Sequence, residues 1–323
     1  MRGDFLKKFL SLALCVITLL SVFTLSVSAS DSEAVTAAGQ VNISSGKLNV
    51  RSGSSSASTV KGSLNRNAYV TILKKSGSFY YIRYAEKSYG YAHSNYIKTV
   101  SENIKYVKTS SGSLRVRSNA SLSSSVKGYL KSGTPVVILS TSSSFSRILY
   151  NGNSVGYVHS DYLTKYKAIR LSVPSFKQND SRWADIEIGN SGQTMSAIGC
   201  VTTALAMTES HKTGTTVYPH QMEKKLSYTS GGAVYWPTSY NIITSGSGYL
   251  SKIHELLQSG KPVILGAKKS NGSQHYVVIT GVKAGNALTT SSFYINDPGS
   301  STRTTLNQFL AVYPTFYKMI VAK

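Results

Sequence analysis

Between residues 40 and 166 apolar and polar positions alternate in short runs, such as Tyr69-Val70-Thr71-Ile72-Leu73 and Tyr80-Tyr81-Ile82-Arg83-Tyr84. Clusters of Gly, Ser and Asn separate these runs. A period of two marks strands with one buried face, and the clusters mark turns, so the pattern predicts short strands closing a small β-barrel. It occurs twice. GKLNVRSGSSS at Gly46 recurs as GSLRVRSNASL at Gly112, VKGSL at Val60 as VKGYL at Val126, and GYAHSNYI at Gly90 as GYVHSDYL at Gly156. Each pair is 66 residues apart, so the copies align without a gap. A period that long, with β patterning, argues for two tandem domains and against a solenoid.

After Tyr166 the period is lost. Small polar residues through Gly199 read as a loop, and Ala204-Leu205-Ala206-Met207 as a helix with Cys200 at or near its N-terminus. An amphipathic stretch from Leu250 to Leu257 predicts a second helix, stopped by Gly260. Three apolar runs follow, at Pro262–Ala267, His275–Gly281 and Phe293–Gly299, the last closing in an Asp-Pro-Gly turn. A helix first and an antiparallel sheet after it make an α+β layout.

The amino terminus differs from both regions. Arg2, Lys7 and Lys8 precede an apolar run from Phe9 to Leu25 and the small-residue site Val27-Ser28-Ala29. This predicts a secretory signal peptide over residues 1–29, with an uncleaved membrane anchor as the alternative. Cys15 leaves with the peptide, and Cys200 remains as the one other cysteine, a lone thiol in an oxidising compartment. Charge adds a preference for partners. The formal net charge is +22, with +8 over 39–100, +6 over 101–166 and +8 over 167–323, so it is spread and not confined to a tail. Such a field favours anionic partners. For an exported chain that means a cell-envelope polymer before nucleic acid, and no membrane partner once the signal is removed.

Candidate chemistry gathers in the last region. A helix N-terminus favours a thiolate, the form of cysteine that attacks a carbonyl. By itself Cys200 reads equally as a nucleophile or as a small buried hydrophobe. His275 opens a strand behind the polar loop Lys268–Gln274, and Asp297 ends the next strand, where its carboxylate can orient an imidazole. Successive strand residues point to opposite faces, so only one of Asp297 and its neighbour Asn296 can reach the imidazole, and Asp297 is the expected one. Gln178, 22 residues before Cys200, can donate its amide to an oxyanion beside the Cys200 N–H. His211 and His220 flank a Gly/Thr-rich loop, and His254 sits within the second helix. No paired His or Cys-x-x-Cys spacing and no phosphate-binding Gly loop is present, so neither metal nor cofactor is expected.

Two resemblances join these readings. The pattern L-x-V-R-S, V-x-G-x-L, then G-Y-x-H-S-x-Y-[IL], present from Leu48 to Ile97 and from Leu114 to Leu163, resembles the bacterial SH3-like domain. That resemblance implies small barrels that attach secreted enzymes to the bacterial cell wall. His93 and His159 hold one slot of the repeat and suit a turn better than a ligand site. Tyr91, Tyr96, Tyr157 and Tyr162 fit either a binding surface or the barrel core. The strings PSFKQNDSRWAD, IGC-x-x-TALAM, HYVVITGV and YINDPGS, over roughly 171 to 323, resemble the double-glycine-peptidase-like family of papain-fold cysteine peptidases. By that resemblance Cys200 is the nucleophile, His275 the general base and acid, Asp297 the orienting residue and Gln178 the oxyanion donor, while Trp183 packs near the cleft. Many members carry Gly-Pro after the cysteine, where this chain has Val201-Thr202. The Asp-Cys-Ser-Gly signature of a related class of wall endopeptidases is also absent, since Ile198-Gly199-Cys200-Val201 stands there.

The expected organisation is a signal peptide (1–29), a linker (30–39), two SH3-like barrels (40–100 and 101–166) and an α+β papain-like domain (167–323). The expected function is a secreted, wall-associated cysteine peptidase acting on a peptide or a peptidoglycan stem. A non-catalytic wall- or peptide-binding protein and a peptidoglycan-peptide hydrolase are the alternatives.

Overall fold

The structure is a computed structural model and describes residues 34–323; the expected signal peptide and residues 30–33 of the expected linker lie outside the described residues. Two seven-stranded antiparallel sheets come first. One contains Ala37–Val41, Leu48–Arg51, Val60–Leu64, Tyr69–Ser76, Phe79–Ala85, Ser88–His93 and Ile97–Ser101. The other contains Ile104–Val107, Ser113–Arg117, Val126–Lys131, Pro135–Ser142, Phe145–Tyr150, Ser154–His159 and Leu163–Thr164, paired in the same order. Each barrel core is filled from the alternate positions of its strands, with Val50, Ile82 and Ala92 fully buried in the first and Val116, Ile148 and Val158 in the second. The repeated Gly-Tyr-x-His has a packing cause. A Cβ on Gly90 would lie 2.5 Å from Val50 Cγ1, and one on Gly156 would lie 2.4 Å from Val116 Cγ1.

The first strand starts at Ala37, inside the stretch expected as linker. Ala37-Ala38-Gly39 lacks strand-forming side chains, yet it pairs with Val70–Ile72 on one side and Thr99–Ser101 on the other. Pairing with two strands overrides weak local propensity. His93 and His159 each precede a single 3₁₀ turn, and His93 Nδ1 accepts from the Asn95 N–H at 3.4 Å. Tyr96 and Tyr162 are 49% and 47% exposed, so these rings are not core. A small apolar cluster of Ala38, Val137 and Leu149 joins the barrels, and the Thr71 hydroxyl donates to the Gly152 carbonyl at 2.9 Å.

The third region is a six-stranded antiparallel sheet flanked by helices. Its order is Ile169–Arg170, Gln274–Val282, Val263–Lys268, Thr315–Ala322 and Tyr240–Ile243, with Phe293–Asn296 also paired to Gln274–Val282. The expected order of helix first and sheet after is therefore modified. Ile169–Arg170 precedes the helix and pairs with Gly281 and Val282, in a run too short and too polar to announce a strand. Along Gln274–Val282 the side chains alternate between two cores. Tyr276 and Val278 pack with the Cys200–Thr213 helix, while Val277 and Ile279 pack with Ile253 and Leu257 of Tyr249–Gln258 and with Phe309. The Cys200 helix is covered on most sides, with Thr203 through Met207 unexposed, which is why it shows no apolar stripe. Among the described residues no helix is long and apolar enough to cross a membrane.

Because the glycine slot has no room for a methyl group, Gly90→Ala and Gly156→Ala should each destabilise their own barrel by about 1–3 kcal/mol, as overpacking does. Urea unfolding followed by tyrosine fluorescence checks this; an unchanged midpoint would remove the packing explanation for the repeat.

Candidate active site

Cys200 is the first residue of the Cys200–Thr213 helix, half-buried and unbonded to another cysteine. The stretch expected as loop before it contains a helical turn, Met195–Ile198, joined to the main helix through Gly199. Burial of Met195 and a bond from its N–H to the Ile186 carbonyl (2.7 Å) order this turn, and neither is visible in a run of small polar residues.

His275 is the second residue of its strand, opposite Ala267, and 7% exposed. Its ring stacks on Tyr313 at 5.3 Å and meets Phe309 at 6.0 Å. Nε2 lies 2.7 Å from Asp297 Oδ1, so Nδ1 is the ring nitrogen left to face the Cys200 side chain, which favours the charged form of the ring. Asp297, just beyond Phe293–Asn296, has no exposed surface. Its Oδ1 also accepts from the Gly299 N–H at 2.8 Å, and its Oδ2 accepts from Arg303 Nε at 2.7 Å. Asn296 turns away, donating through Nδ2 to the Val173 and Pro174 carbonyls at 3.2 and 3.0 Å.

Gln178 donates Nε2–H to the Ser196 carbonyl at 2.8 Å, in the turn that leads into Cys200. An amide has two such protons, so one remains to donate. Its backbone N–H donates to the Pro298 carbonyl at 2.9 Å, and Lys177 Nζ donates to the Asp297 and Ser300 carbonyls at 2.6 and 2.7 Å. Trp183, fully buried, donates its indole N–H to the Lys177 carbonyl at 2.7 Å. The segment bearing Gln178 is thus bonded directly to the turn bearing Asp297. Arg303, Lys177 and Tyr313 were missed in the sequence. Lys177 and Arg303 left a faint signal, as a cation beside Gln178 and a lone cation in a Ser/Thr run after Asp297.

The electrostatics follow from these bonds. Burial opposes charge on the His275 ring, but hydrogen bonds to Asp297 and Cys200 outweigh it, so its pKa is raised from 6.5 to about 9. Burial likewise favours a neutral Asp297, yet the donors His275 and Arg303 hold its carboxyl below the ordinary range. At neutral pH the ring carries its proton between a carboxylate and a sulfur, an arrangement suited to transferring a proton to a leaving group beside the thiol. Among the described residues no three His, Cys, Asp or Glu side chains converge as a metal site requires.

A ring with a raised pKa stabilises the fold while protonated. That contribution is whole below about 6.5 and is lost as pH rises through about 9. In Asp297→Asn burial should dominate, the ring should titrate well below the wild-type value by NMR, and the loss of stability across that window should shrink. An unchanged His275 titration in the variant would show that Asp297 does not set the charge of the ring.

Residues 46–98 and 112–164 each match the family described as Bacterial SH3 domain, and residues 170–321 match the Peptidase_C39 like family. Among solved structures, NlpC2 and NlpC1 from Trichomonas vaginalis are 15% and 14% identical over 89% and 90% of this chain and 97% and 94% of theirs, with TM-scores of 0.22 and 0.23. An NLPC/P60 family protein from Bacillus cereus is 12% identical over 87% of this chain and 98% of its own, with a TM-score of 0.20. No curated protein matches the chain.

Proposed function

We propose that this chain, a cysteine peptidase with two bacterial SH3 domains ahead of its Peptidase_C39 like domain, is exported and cleaves peptide amide bonds at the cell wall. The observation that carries the catalytic reading is the line Cys200–His275–Asp297, with Nε2 of the ring 2.7 Å from the buried carboxylate. In this mechanism the Cys200 sulfur, its proton held on His275 Nδ1, attacks the carbonyl carbon. The carbonyl oxygen becomes an oxyanion facing the Cys200 N–H and the free amide proton of Gln178. As the tetrahedral centre collapses, the C–N bond breaks and His275 gives its proton to the departing amine. A thioester remains. Water, deprotonated by His275, attacks it, and the thiol is released with the proton returned to the ring–sulfur pair. Asp297 keeps the ring oriented and its charge favourable throughout.

Two further observations support the wall reading. The SH3 matches cover both barrels, and each barrel region carries a positive excess, +8 and +6. The substrate in this reading is a peptide, the stem peptides of the wall included.

Purified protein should release new amino groups from a peptide library or from isolated wall. Cys200→Ala should abolish that release, and Gln178→Ala should lower kcat by about a hundredfold or more, as loss of one oxyanion donor does. Full turnover by the Cys200→Ala protein would end the enzymatic reading. The protein should also sediment with isolated Gram-positive wall at low salt and be partly released at high salt, since exposed charges are screened beyond about 10 Å at 0.1 M. A protein left in the supernatant at low salt would refute wall attachment.

A further inference from the structure

Both flanks of the Cys200–His275 pair carry cations held over aromatic rings. On the sheet face that receives the Cys200 helix, half-buried Trp236, Tyr317 and Cys200 pack in one cluster with Tyr276. Tyr276 can lie flat across the neighbouring strand because Gly266 stands opposite it; a Cβ there would fall 2.3 Å from the ring. In the next strand pair the register shifts at the same place. Gly266 faces Lys318 and Ala267 faces Phe316, which leaves Tyr317 as the extra residue of a bulge. A bulge re-aims the side chain it carries. The Tyr317 ring lies under two ammonium groups, with Lys268 Nζ 3.9 Å and Lys318 Nζ 4.4 Å from its centroid. Lys318 Nζ is also 5.3 Å from the Trp236 ring. On the other flank Tyr313 stacks on His275, with Lys269 Nζ 5.2 Å and Arg303 Cζ 5.9 Å from its centroid.

None of Lys268, Lys269 and Lys318 makes an ion pair among the described residues, and the one carboxylate that meets Arg303 is Asp297. A ring face positions an ammonium group without neutralising it. Cations fixed around a reactive pair and left uncompensated attract an anion into the space between them. We infer that this site selects acidic peptides, with carboxylates close to the scissile amide on both sides. Lys268 and Lys318 meet the carboxylate on the Cys200 flank, and Lys269 meets the one on the His275 flank. The inference rests on the peptidase reading and adds the substrate class. These lysines are specificity-determining residues and take no part in bond breaking.

The test uses full-length Cys200→Ala protein and two blocked hexapeptides, acetyl-Ala-Glu-Ala-Ala-Glu-Ala-amide and its counterpart with Gln for both Glu. Binding is read from the tryptophan emission to which Trp236 contributes. At low salt the Glu peptide should bind about tenfold more tightly, and 0.5 M salt should remove most of the difference, as screening of exposed charges requires. Lys268→Gln with Lys318→Gln should weaken the Glu peptide about five- to tenfold and leave the Gln peptide unchanged, an asymmetry that lost structure would not produce. Equal binding of the two peptides, binding of neither, or an equal loss for both in the double variant would overturn the inference. The peptidase reading fails separately, if wild-type protein that binds the Glu peptide releases no amino groups from any substrate.

Discussion

Asp297 holds a negative charge where no water reaches it, so its neighbours must do the work of solvent. Burying an ion costs several kcal/mol even after relaxation, and removing one partner of a buried pair typically costs about 3–5 kcal/mol. Here three donors share the carboxylate: the His275 ring and the Gly299 N–H on Oδ1, and Arg303 Nε on Oδ2. The interactions that make the charge tolerable are the ones that hold the ring toward the sulfur. Local stability and the orientation of the His275 ring therefore depend on one set of bonds at this turn.

That set extends outward through backbone. Lys177 grips the carbonyls of Asp297 and Ser300, and Gln178 bonds to Pro298 through its main chain and to Ser196 through its side chain. Asn296 binds the carbonyls of Val173 and Pro174. An irregular segment with no regular element of its own is thus ordered by the strand end it crosses. In the proposed mechanism Gln178 meets an oxyanion, which requires a group fixed before the reaction, and this cross-bonding holds its segment in place.

The two barrels solve a simpler problem. Short strands wrap a mainly aliphatic core in each, and the His–Tyr ring pairs at His93 and His159 stay toward the surface. The second barrel is bonded to the peptidase region through Tyr166 and Gly285, with Tyr166 packed edge-on against His254 at 5.0 Å. Contacts of this kind restrain the second barrel relative to the peptidase domain.

What was legible in the residues alone was whatever short-range pattern encodes. Two gap-free copies with period-two alternation specified two barrels, because strand faces are set by alternate side chains. The helix before Gly260 was readable from its amphipathic stretch, and the strands at Val263 and His275 from their apolar runs. Chain order and family resemblance together marked Gln178, Cys200, His275 and Asp297 as candidates, each of them a weak signal taken singly. Tertiary structure decided the rest. Ala37–Val41 became a strand through pairing with partners some thirty and sixty residues away, and Ile169–Arg170 through pairing with Gly281 and Val282. Arg303 and Lys177 became site residues only when the Asp297 turn folded against them. The choice of Asp297 over Asn296 followed from which face of a strand end met the imidazole. Charge burial, close approach and hydrogen-bond direction are relations between distant segments, and no local pattern of residue types contains them.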